Sequence, residues 1–336
     1  MSRLVSLLVL TSLMVRSAIA EEPPPWAYGF KIPVPADWTP PAPGATAPPS
    51  AAASDPTEWG LSGTDRKFTR AQITNIFGPA DFYPEDHPVM PEIVARGKAP
   101  AVWACSRCHY ANGKGRPENA GIAGLPVDYF IAQLQAFKNG ERQSSDPRKP
   151  NTVMMANYAK GLTDVEMRAA AEYYGSMKWT PWIRVKETER VPQTTTSAGM
   201  YLPVAGGADE AIGNRIIEVP EDPELVEIQR SPRVGFVAYV PTGSVKQGEL
   251  LVTTGGGKTI GCVTCHGPGL QGQMLAGVGT VPGIAGRSPS YLFRQMFDMK
   301  SGRRHGKQVE FMKPVVMNLN NDDMLAISAY LASITP

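Results

Sequence analysis

Cys105-Ser-Arg-Cys-His109 and Cys262-Val-Thr-Cys-His266 are the two stretches on which the reading of this chain turns. Both have the pattern C-x-x-C-H, the attachment signature of c-type haem. Two thiols on one turn of chain can each form a thioether with a haem vinyl group, and the histidine that follows turns its imidazole toward the iron. A lone C-x-x-C also fits a redox pair or half a zinc site. Here all 4 cysteines lie in the two motifs, and each pair is followed at once by histidine. A four-cysteine zinc knuckle is the weaker reading, because it suits reducing compartments and more closely spaced pairs. The expected cofactors are two covalently attached haem c groups, one on Cys105, Cys108 and His109, the other on Cys262, Cys265 and His266.

The surroundings of the motif repeat as well. Cys105 maps to Cys262 at an offset of 157, Ile122-Ala-Gly124 and Tyr129 map to Ile284-Ala-Gly286 and Tyr291 at 162, and Leu162, Met167 and Tyr173 map to Leu319, Met324 and Tyr330 at 157 again. A loop five residues longer after the second motif is therefore compensated before the next shared element. Phe130, Leu134 and Phe137 share one helix face, and Leu292, Met296 and Met299 share another. Thr163 with Glu166 and Asn320 with Asp323 read as N-terminal caps of a closing helix.

The duplication nominates second iron ligands. Met155 lies 46 residues after His109, and Met312 lies 46 after His266. A thioether favours ferrous iron, which suits an electron carrier, although most methionines simply fill core gaps. Met154 and Met317 are the rivals, and only His87 and His305 lie outside the motifs.

These residues carry a resemblance. The two halves are similar to class I cytochromes c, and the pair resembles the dihaem cytochrome c4 family, through C-x-x-C-H, Tyr129 and Gln133 (Tyr291 and Gln295), Gly140 and Arg142 (Gly302 and Arg304), a methionine, and the closing helix. The resemblance covers roughly 86–180 and 244–336. It implies an all-α fold of two tandem modules, His/Met iron (His109 with Met155, His266 with Met312) and periplasmic electron transfer. It also implies that a carbonyl before Ile-Ala-Gly meets the proximal histidine. Pro282 fits that place in the second half, whereas Ala120 stands there in the first.

The remaining stretches are particular to this chain. Residues 1–20 read as a cleaved export signal, with Arg3, an apolar run from Leu4 to Met14 and Ala18-Ile19-Ala20 before the cut. Its loss brings the formal net charge of +2 to about zero, so no nucleic-acid partner is expected. Residues 21–85 form a proline-rich arm in which Trp26, Tyr28, Phe30 and Trp38 pack either on the chain's own modules or on a partner. Phe68 to Phe77 suggests a short helix that rejoins the fold. Residues 181–243 form a long, partly strand-like insert, with runs at Arg215–Val219 and Val234–Val240, that either spaces the modules or docks a partner. Gly255-Gly-Gly-Lys-Thr259 falls short of a phosphate loop because Val252 stands where glycine is required. Arg303-Arg304-His305 reads as a solvated helix end, a propionate-binding arginine or a docking patch.

The expectation is an exported periplasmic carrier passing electrons from a periplasmic or membrane dehydrogenase to an oxidase or soluble cytochrome, with peripheral membrane association open. The alternative is a haem enzyme in which one iron keeps an open position.

Overall fold

The computed structural model describes residues 21–30 and 55–336. The expected export signal and residues 31–54, Trp38 among them, lie outside the described residues. Each module is built on helices whose ends the sequence marks. In the first, Val127–Lys138, Pro150–Gly161 and Asp164–Gly175 surround a core of Val94, Phe130, Leu134, Met167, Ala171 and Tyr174. In the second, Ser244–Thr254, Pro289–Lys300 and Asn321–Ser333 surround Leu251, Leu292, Phe293, Phe297, Met324 and Ala329. Thr163 with Glu166 and Asn320 with Asp323 form reciprocal caps, satisfying backbone N–H groups that the first helical turn leaves unpaired. Gly140 follows Val127–Lys138 and Gly302 follows Pro289–Lys300, with φ of 77° and 75°, a conformation in which a side chain is disfavoured.

The modules differ at their opening helix. Ser244–Thr254 runs 11 residues and crosses Asn321–Ser333 so closely that a Cβ on Gly248 would lie 2.0 Å from the Ala326 carbonyl oxygen. The first module has a single turn in that place, Glu92–Ala95.

The all-α expectation is wrong. The described residues are 37% helix and 16% strand, in several small sheets. Most strands lie in the insert, where Ile183–Glu187 pairs in parallel with Phe236–Val240, which pairs antiparallel with Ile217–Pro220. Prolines break helical hydrogen bonding there, while Ile217, Val219, Val237 and Val240 offer β-branched side chains that a sheet buries well. The longer loop after the second motif is also a hairpin, Gly272–Leu275 against Gly279–Pro282.

The arm divides in two. Residues 55–85 fold as a hairpin, Glu58–Gly60 with Lys67–Thr69, and a short helix, Arg70–Thr74, around Leu61, Ile73, Phe82 and Tyr83. Residues 25–30 pack on the second module. Tyr28 is fully buried and donates to Asp298 at 2.8 Å, Trp26 meets Phe293 at 4.7 Å between ring centroids, and Arg294 donates to the Ala27 carbonyl at 2.8 Å.

A nearly two-fold seam joins the modules. Gln143 N–H donates to the Arg303 carbonyl at 2.9 Å, and His305 N–H donates to the Glu141 carbonyl at 2.8 Å. Between them Arg142 donates to Tyr291 and Gln295, while Arg304 donates to Tyr129 and Gln133, at 2.8–3.0 Å. The Arg303-Arg304-His305 cluster is therefore not one solvated helix end, because its middle residue is buried across the seam.

Candidate haem-attachment sites

Each C-x-x-C-H motif folds as one helical turn, Ser106–His109 and Val263–His266, with the first cysteine of each at its N-terminal edge. The turn sets both thiols and the imidazole on one small platform. None of the four cysteines is in a disulfide, which leaves each pair available for thioether bonds.

The imidazoles are held alike. His109 Nδ1 lies 2.8 Å from the Ala120 carbonyl oxygen, and His266 Nδ1 lies 2.8 Å from that of Pro282. A carbonyl only accepts, so Nδ1 carries the proton and Nε2 keeps its lone pair. Burial also lowers the pKa of both rings, favouring the neutral form that a metal requires. Alanine serves as well as proline because the interaction uses only the backbone.

The nominated methionines lie in the same cores. Met155, on Pro150–Gly161, packs in the cluster that contains Cys105, and Met312 packs in the cluster that contains Cys262. Met154 is absent from the first cluster, and Met317 is half exposed. His87 rests 3.2 Å from Asp81, and His305 is exposed. Lys258, from the glycine-rich stretch, pairs with Asp323 at 2.7 Å, which gives that lysine a structural partner in place of a phosphate. These observations fit a haem on each platform: paired thiols, an imidazole with a free Nε2, and a thioether in the enclosing core.

The cytochrome c family profile matches residues 94–178 and 246–335, just over half of the chain. The chain belongs to the cytochrome c family. This cytochrome is 27% identical over 247 residues to the thiosulfate dehydrogenase electron acceptor of Thiomonas intermedia, covering 70% of this chain and 84% of that one. It is 30% identical over 141 residues to cytochrome c4 of Stutzerimonas stutzeri, covering 38% and 65%. Among solved structures, thiosulfate dehydrogenase (TsdBA) from Marichromatium purpuratum matches with a TM-score of 0.45 and 25% identity, over 71% of this chain and 38% of that one. This cytochrome is thus an electron-transfer protein whose cofactor is covalent haem c, and its partners are redox proteins. No helix among the described residues is long and apolar enough to cross a membrane.

Several residues around the platforms carry no motif. Asn119 donates to the Cys108 carbonyl at 3.4 Å, and Gln273 donates to that of Cys265 at 3.2 Å. They do the same work from unequal sequence distances, so repeat alignment misses them. Around the first platform Arg107, Arg116 and Arg230 gather with Glu118 and Glu227. Burial, then Arg116 and Arg107, bring Arg230 down to about 9, so it remains charged at neutral pH. In the second motif Val263 and Thr264 occupy the places of Ser106 and Arg107.

Proposed function

We propose that this cytochrome holds two haems, on Cys105, Cys108 and Cys262, Cys265, with His109 and Met155 ligating one iron and His266 and Met312 the other. It works after export to the periplasm, with residues 1–20 removed. The domain limits follow the notional units 86–180 and 244–336, with the insert 181–243 between them and the arm 21–85 ahead. The observation that carries this reading is the matched pair of imidazoles, each with Nδ1 at 2.8 Å from a carbonyl and each sharing its core with a methionine 46 residues on.

The haem supplies reversible one-electron storage, and its axial ligands and surroundings set the potential. The chain's own residues do the rest. The Ala120 and Pro282 carbonyls fix ring orientation, the cores exclude water, and the Arg142–Arg304 seam keeps the modules in register. The donor is a dehydrogenase and the acceptor an oxidase or soluble cytochrome; the likeness to a thiosulfate dehydrogenase electron acceptor supports a dehydrogenase of that kind as donor.

The test is a haem count per chain with a redox titration and a carbon monoxide challenge. Two haems, two reversible steps and no carbon monoxide complex are expected. One haem, or ready carbon monoxide binding at either iron, would favour the haem-enzyme reading instead.

A further inference from the structure

The residue after each C-x-x-C-H histidine takes an unusual backbone. In the second module it is Gly267, with φ of 84°, which glycine adopts freely. The equivalent residue in the first module is Tyr110, with φ of 60°, in a region that tyrosine rarely occupies. What Tyr110 gains there is a place in the insert's core, against Trp182, Met200, Val226 and Phe236. Its ring also carries the Arg230 guanidinium, 5.4 Å from the centroid. Arg230 is itself a residue of positive φ, 54°. From that position its guanidinium donates to the Arg107 carbonyl, inside the first haem motif and between the two cysteines. Strained residues that persist in pairs mark positions the surrounding structure holds for a purpose.

The charges gathered there do not balance. Arg116 pairs with Glu118 at 2.6 Å and reaches Glu227 at 3.4 Å, and Arg70 donates to the Glu227 backbone carbonyl. Arg107 Nε and Arg116 Nε are buried without a hydrogen-bond partner among the described residues. Among the described residues, four guanidinium groups thus face two carboxylates; the insert supplies Arg230 and Glu227, and of these it is Arg230 that reaches the haem motif.

We infer that the insert raises the reduction potential of the first haem by holding the Arg230 charge against its attachment loop. A fixed cation disfavours the ferric state, which carries one more positive charge than the ferrous, and the effect is large where solvent screening is weak. The duplicated modules therefore differ in potential through a segment that is not duplicated. This inference rests on the two-haem reading above.

The experiment is a redox titration of the full, haem-loaded chain with Arg230→Gln, Arg230→Lys and Glu227→Gln, after a haem count on each. Arg230→Gln is expected to lower one of the two midpoint potentials and leave the other in place. Arg230→Lys keeps the charge and should stay nearer the wild type. Glu227→Gln removes a compensating carboxylate and should move the same midpoint upward, a sign that general loosening of the fold does not produce. Two unchanged midpoints in Arg230→Gln, equal shifts in the Lys and Gln variants, or a downward shift in Glu227→Gln would each overturn the inference. A wild-type count other than two haems would instead sink the reading beneath it.

Discussion

The first and second modules grip their motif imidazoles in the same way and are covered in different ways. Both set an imidazole Nδ1 2.8 Å from a carbonyl on the loop before Ile-Ala-Gly. The first is then faced by the insert, through Tyr110 and Arg230, and the second by residues 25–30, through Trp26 and Tyr28. The grip is duplicated and the covers are not. Duplication therefore preserves what the haem chemistry demands, while the added segments make the two sites unequal.

Removing the grip should have the largest effect. Cys105→Ala with Cys108→Ala, and separately Cys262→Ala with Cys265→Ala, should each lower the haem count by one, read by absorbance of the denatured pyridine complex. A variant that keeps its full count would break the equivalence of the modules. Next is the cover of the second module. Tyr28→Ala empties a fully buried site and should cost about 3–5 kcal/mol in denaturant unfolding, as truncations of large aromatics do. A loss near zero would mean that the segment merely rests on the surface.

The seam comes third. Arg142→Ala and Arg304→Ala each remove charged hydrogen bonds to the opposite module and should cost about 1.5–3 kcal/mol. Because the two arginines share Gln133 and Gln295, the double variant should be non-additive by about 0.5–3 kcal/mol. Simple additivity would mean that the two halves of the seam act independently. Gly248→Ala should cost about 1–3 kcal/mol by forcing apart the helix crossing of the second module, read as a lowered Tm.

The last test is a pH dependence. Lys149 is buried near Glu118, Asp146 and Arg294, and burial, reinforced by Arg294, depresses it from 10.5 to about 7. Its folded pKa lies below the unfolded one, so its contribution is full above 10.5 and is lost as pH falls toward about 7. Lys149→Met should flatten stability between those two values and leave it little changed at the alkaline end. An unchanged slope would show that the lysine stays protonated inside the fold.

Much of the site was legible because its chemistry is local. Two thiols and an imidazole must share one helical turn, so C-x-x-C-H appears intact in the sequence. The capping boxes at Thr163 and Asn320 were legible for the same reason, since each spans only four residues. The sheets were less so. The runs at Arg215–Val219 and Val234–Val240 pointed to strands, yet the strand that completes their sheet, Ile183–Glu187, lies far off in sequence, and the all-α class taken from the resemblance was set by the two modules and gave these runs too little weight. Asn119 and Gln273 stayed hidden because equal contacts arise from unequal spacing.

By itself the sequence determined the two C-x-x-C-H motifs, the duplication and the caps of the closing helices, because each depends on groups a few residues apart or on a repeated pattern. Only the tertiary structure decided that Arg304 crosses to the first module, that Tyr28 closes the second, and that Arg230 is held against Arg107. Those side chains act on residues more than a hundred positions away, where periodicity and composition carry no signal, and burial alone makes their hydrogen bonds and charges count.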